Sequence, residues 1–156
     1  MKKLDALNQV ALFHQTFGAP IIENPAIPSK ERCKLRVSLL AEELDELKEA
    51  IEAYDIVEIA DALCDLQYVL SGAVLEFGLG DKFVDLFNEV QRSNMSKACQ
   101  SLQEAEATVA HYHQKDGTEA EIVEENGLWK VYRKSDNKVL KSIDYSPANL
   151  VDILKK

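Results

Sequence analysis

Basic residues are in short supply in this 156-residue sequence: 18 Lys and Arg stand against 27 Asp and Glu, for a formal net charge of −9. That deficit excludes a nucleic-acid duplex as the main partner, because duplex binding rests on neutralising phosphates with cationic side chains. Cysteine is equally sparse. Cys33, Cys64 and Cys99 are an odd number without short spacing, which argues against a disulfide framework or a zinc site and reads as reduced, mostly buried thiols of a cytoplasmic protein. Long hydrophobic runs are missing. The most apolar stretch, Ala62 to Leu79, is interrupted by Asp65, Gln67, Gly72 and Glu76, so it reads as a buried helix and not a membrane span. Met1-Lys2-Lys3-Leu4-Asp5 lacks the apolar core of a signal peptide. Histidine occurs only at positions 14, 111 and 113, preceded at three residues by Ala11, Thr108 and Ala110. This excludes the Glu-x-x-His pairs of a ferritin-like di-iron site.

What is present describes a globular chain. Hydrophobic residues make up 46% and charged residues 29%, enough for one compact domain over residues 1–156. Leu4, Leu7, Val10, Ala11, His14 and Phe17 follow helical spacing up to Gly18-Ala19-Pro20, with His14 at the core or its rim. An irregular loop with Pro20, Pro25 and Pro28 follows. Ser29 is placed to cap a second helix reaching about Ala53, with Leu40, Leu44, Leu47 and Ile51 as its apolar seam. Asp55 opens a third helix that is apolar on nearly every side from Ile59 to Phe77 and should be the most buried one. Asp81 caps a fourth helix with core face Val84, Phe87 and Val90, and a fifth runs from about Lys97 to Gln114. Leu128–Tyr132 and Lys138–Lys141, flanking Ser135-Asp136-Asn137, predict an appended β-hairpin within residues 128–145, anchored by Trp129. The fold class is therefore all-α: an antiparallel bundle of four to five helices with a small C-terminal β-hairpin.

Chemistry gathers in two acidic faces. Glu42, Glu43 and Glu46 share one side of the second helix at spacings of three and four. Glu58, Asp61 and Asp65 share one side of the third. The short connection makes the two helices antiparallel neighbours, so the faces can meet. Asp61 and Asp65 interrupt an apolar helix with no run of Lys or Arg nearby, and a carboxylate so placed needs a partner. A hard divalent cation such as Mg²⁺, which takes oxygen ligands, answers that need. Glu58 has a second explanation as capping partner of Asp55. Arg92 and Lys97, flanking Asn94, are candidates to hold phosphates.

Leu39–Leu47 resembles the EExxE half, and Asp61–Val69 the ExxD half, of the signature of all-α nucleoside triphosphate pyrophosphohydrolases. Phe13–Pro20, Gln91–Lys97 and Lys138–Lys141 with Tyr145 and Pro147 are similar to a MazG-like branch of that superfamily, which also includes phosphoribosyl-ATP pyrophosphohydrolases. The resemblance implies a MazG-like helical homodimer, or a dimer of dimers, that hydrolyses a (d)NTP to the monophosphate and pyrophosphate with Mg²⁺ or Mn²⁺. By position it makes Glu42 or Glu43 the base that activates water. Glu43, Glu46, Asp61, Asp65 and Glu58 become metal ligands, and Arg92, Asn94, Lys97, Lys141 and Phe17 contact the substrate. Aligning Asp65 with the ExxD aspartate puts Ala62 where the family has glutamate, and either Asp61 or Glu58 completes the set. That departure also admits a nucleotide- or metal-binding regulatory protein that has lost catalysis.

Overall fold

A computed structural model describes residues 3–155. These fall into two compact units, one ending at Phe83 and the other beginning at Val84.

The first unit is helical. Helix α1 (Ala6–Phe17) ends on Gly18 in the left-handed conformation, φ 70°. Helix α2 (Lys30–Glu52) is capped as expected by Ser29, whose hydroxyl accepts from the Arg32 N–H, a contact worth about 1 kcal/mol. Helix α3 (Ile56–Glu76) starts at Asp55, whose carboxylate accepts from the N–H groups of Val57 and Glu58. Only Ala53, Tyr54 and Asp55 separate α2 from α3. The two pack side by side along their lengths as an antiparallel pair, and α1 lies against α3. The proline-rich loop is tied to the end of α3 by hydrogen bonds from Ile22 N–H to Leu75 O and Ala26 N–H to Phe77 O. Gly78 makes that docking possible. Its φ is +68°, and a Cβ there would lie 2.0 Å from the Asn24 carbonyl oxygen, so any other residue would clash as well as strain the turn.

The boundary between the units falls after the first residue of α4 (Phe83–Met95); the second unit holds the rest of that helix, then α5 (Leu102–Asp116), strands β1 (Ala120–Glu125) and β2 (Leu128–Arg133), and a short α6 (Leu150–Leu154). Cys99, Ala105, Val131 and Leu140 form its core, with Val109, Tyr112, Ile122 and Trp129 packed around them.

The helical fold with a C-terminal hairpin is as expected, with local corrections. The hairpin pairs β2 with β1, Ile122 opposite Val131, around Asn126-Gly127, not principally with residues 138–141. The latter pairing survives as a single bridge between Tyr132 and Val139, with Leu140 N–H donating to Val131 O. The fifth helix starts at Leu102 because Cys99 is drawn into paired backbone bonds with Trp129 and Ser101 caps the helix. In α4 the buried residues are Leu86 and Ser93, while Val84, Phe87 and Val90 are exposed. The face is set by the C-terminal segment, which hydrogen-bonds to Glu89, Arg92 and Ser93. Helix α3 is buried mainly in its last two turns, and Leu63, Cys64 and Leu70 are exposed. The α2 row is likewise half covered, with Leu44 and Ile51 exposed. No helix among the described residues is by itself long and apolar enough to cross a membrane.

Candidate active site

The antiparallel α2–α3 pair brings the two acidic faces together. Glu43 is half-buried between them. Burial first, then the charges of Asp65, Glu46, Glu42 and Asp61, push its carboxyl above the ordinary glutamate range. Five of the six acids picked out by spacing thus share one electrostatic neighbourhood. Glu58 stands at its lower edge, lining a shallow polar cleft with Glu46, Glu49, Ala50, Ala53 and Asp55. Its backbone N–H is held by Asp55, but Asp55 N–H itself donates to Ala50 O, so only half of a capping box forms. Ala62 is buried, at 3% exposure, and the adjacent Asp61 projects its charge onto Glu43 instead.

The donor set is all carboxylate oxygen, the chemistry that suits a hard divalent cation. As they stand, no three Asp, Glu, His or Cys side chains among the described residues converge closely enough to hold an ion. The fit lies in charge and donor type: four carboxylates raise the proton affinity of a fifth, and a divalent cation bound among them would relieve that repulsion.

A profile of the family described as phosphoribosyl-ATP pyrophosphohydrolase matches residues 10–94. The chain belongs to that family. It is also 30% identical to Uncharacterized protein L479 of Acanthamoeba polyphaga mimivirus, over 67% of this chain and 52% of that protein; the chain thus spans about half the length of this relative. The membership places the protein in the MazG-like all-α pyrophosphohydrolase superfamily. The match contains both acidic faces of α2 and α3.

The other expected residues of this family member divide differently. Phe17 is 70% exposed, so it is not core. Its ring centre lies 4.5 Å from that of Phe13 with the planes tilted by 40°, and Phe13 meets Tyr68 edge-on at 5.7 Å, giving an aromatic cluster between α1 and α3. Within the second unit, Lys97 Nζ donates to Asn94 Oδ1 (2.8 Å), and Lys141 Nζ lies 4.2 Å from the Tyr145 ring centre. The Tyr145 and Ser93 hydroxyls share a 2.9 Å hydrogen bond. That bond and the charges of Lys141 and Lys97 hold the Tyr145 phenol below its ordinary value. Asn94, Lys97 and Lys141 therefore gather at one place, joined by Tyr145, which was not among the expected contacts. Arg92, whose charge also meets Tyr145, donates twice to Glu89 at 2.8 Å and once to Pro147 O at 3.0 Å. Its side chain and the Asn149 N–H hold Glu89 down to about 2.

Spacing did not find the buried charges. Glu76 is fully buried and is bound by Arg32 and Arg36. Arg36 Nη2 also lies 3.2 Å from His14 Nε2, and His14 Nδ1 lies 2.8 Å from Pro20 O. A carbonyl oxygen can only accept, so Nδ1 carries the proton and Nε2 accepts from the guanidinium. The sole hint in the sequence was an acid inside the apolar stretch.

Proposed function

We propose that the protein is a nucleoside triphosphate pyrophosphohydrolase that requires Mg²⁺, with Mn²⁺ as a substitute. The observation that supports this most directly is the half-buried Glu43, whose carboxyl is pushed above the ordinary glutamate range by burial and then by carboxylates from two helices. Glu46, Asp61 and Asp65 are the residues that would hold the ion with Glu43, and Glu58 extends the set toward the α2–α3 turn. A bound ion of this kind neutralises phosphate charge and lowers the pKa of a coordinated water. Glu42 or Glu43 accepts the proton of the attacking water, a role for which an elevated carboxylate pKa is suited. The nucleophile attacks a phosphorus in line with the departing pyrophosphate, leaving a monophosphate. Within the second unit, Asn94, Lys97 and Lys141, with Tyr145, form a cluster of its own whose cations suit phosphate. Phe13 and Phe17 offer ring faces to a base. Leu44, Ile51, Leu63 and Leu70, exposed on α2 and α3, suit burial between subunits of a homodimer.

Purified protein incubated with Mg²⁺ and a panel of canonical, deoxy, uracil-containing and oxidised triphosphates, together with phosphoribosyl-ATP, should yield monophosphate and pyrophosphate from at least one compound, resolved by chromatography. Diphosphate plus orthophosphate, or no turnover with any of them, would reject the reading. Glu46→Ala and Asp65→Ala should each reduce turnover at least ~100-fold with unchanged circular dichroism. The buried Ala62 favours one competitor, a binder without catalysis. Its signature would be thermal stabilisation by nucleotide with no product.

A further inference from the structure

The buried charge network and the acidic face occupy the same seam between α2 and α3. Glu43 stands eleven residues beyond Arg32 on α2, and Asp65 stands eleven residues before Glu76 on α3. In antiparallel helices these equal intervals place the Arg32–Glu76 contact and the Glu43–Asp65 approach on a single register, three turns or about 16 Å apart. A slip of one turn, about 5.4 Å, would carry Glu43 past Asp65 and break both guanidinium contacts.

We propose that Arg36, Glu76, His14 and Gly72 form a positioning device that fixes the axial register of α2 against α3, and so aligns the carboxylates of the two helices. The inference rests on the hydrolase reading of those carboxylates. Arg32 Nε reaches Glu76 Oε2 at 3.0 Å, and the Nη2 atoms of Arg32 and Arg36 both meet Glu76 Oε1. Arg36 is itself buried, so its charge has no solvent to turn to; its Nη2 is shared between Glu76 and His14 of α1, while its Nε is buried without a hydrogen-bond partner. Hydrophobic contacts tolerate sliding by a turn; a buried acid with two directional guanidinium donors does not. Gly72 supplies the space. A Cβ at that position would come 2.6 Å from Arg36 Nη1 and 3.1 Å from His14 Nε2. Stability alone does not account for such an arrangement, since well-packed apolar residues commonly replace buried ion pairs without loss. Specification of register is the use that remains.

The test separates register from stability. In R36M/E76L the charges are removed together, and thermal stability should stay within a few degrees of wild type or exceed it. Mn²⁺ affinity, measured by calorimetry and by paramagnetic resonance of free Mn²⁺, should nevertheless weaken at least tenfold, and kcat should fall at least tenfold. G72A keeps every charge but displaces the guanidinium, and should weaken Mn²⁺ binding severalfold. Should R36M/E76L fail to fold, G72A decides. A folded variant that binds Mn²⁺ and turns over within twofold of wild type would overturn the positioning role and leave the hydrolase reading intact. Absence of Mn²⁺ binding by the wild-type protein would overturn both.

Discussion

Replacing Glu76 with Ala should destabilise the first unit by about 3–5 kcal/mol, the cost of leaving a buried charge without its partner. The side chain is 1% exposed and that of Arg36 9%, so neither water nor salt can compensate the stranded guanidinium. Arg32, at 34%, can turn outward and contributes less. Against a total stability of about 5–15 kcal/mol, the loss is large, and the melting transition should drop by roughly 10–20 °C. The pH dependence follows from the direction of the Glu76 shift. Burial works to raise its pKa, but hydrogen bonds from Arg32 and Arg36, reinforced by their charges, outweigh burial and lower it. A carboxylate lowered from an unfolded value near ~4.3 contributes stability that is fully present above that value. The contribution is lost as pH falls through the folded one. Wild-type protein should therefore show a steep acid limb below about pH 4 that the Glu76→Ala protein lacks. Melting curves across pH 3–7 read both effects, and a variant melting within 2 °C of wild type at pH 7 would contradict them.

How far the sequence could be read depended on whether a signal was local. The acidic faces were legible because helical periodicity alone puts Glu42, Glu43 and Glu46 together, and Asp61 with Asp65. The three-residue connection then forces the helices side by side. Ser29 and Asp55 announced their helices by the same short-range logic. The hairpin was legible in kind and misplaced in partner. Asn126-Gly127, with φ of 55° and 76°, is the turn pair that two-residue hairpins favour, and it lies between residues of alternating character. Both pairings exist, since β2 meets β1 on one edge and Val139 on the other. The Glu76 network was not legible. Its partners lie 44 and 40 residues away, and no period or motif links an acid at the end of one helix to arginines at the start of another. Apolar seams misled for a related reason. Leu44, Ile51, Val84 and Phe87 mark faces by pattern, whereas burial in each unit follows polar anchors: Arg36 on α2, Glu76 on α3, and Ser93 on α4.

Glu43→Gln should move activity and stability in opposite directions. Turnover should fall at least ~100-fold, the lower end of what a positioned acid–base group contributes, because the amide neither accepts the proton of water nor ligates a hard cation strongly. In metal-free buffer the same variant should melt higher than wild type, by about 1–3 °C, as expected when repulsion of the size of a surface charge pair is removed. The sign comes from the direction of the Glu43 shift. Burial, then Asp65, Glu46, Glu42 and Asp61, raises its pKa, so the ionised form is less favourable in the folded state than in the unfolded chain. That cost is complete above the folded value and vanishes below the unfolded one, the reverse of Glu76. Adding Mg²⁺ should raise the melting temperature of wild type, since an ion that binds only the folded state stabilises it. It should raise that of the Gln variant much less. Charges that disfavour folding are what a site selected for function at the expense of stability would carry. Glu43→Gln protein that melts lower than wild type without metal, or retains turnover, would remove Glu43 from the centre of the site.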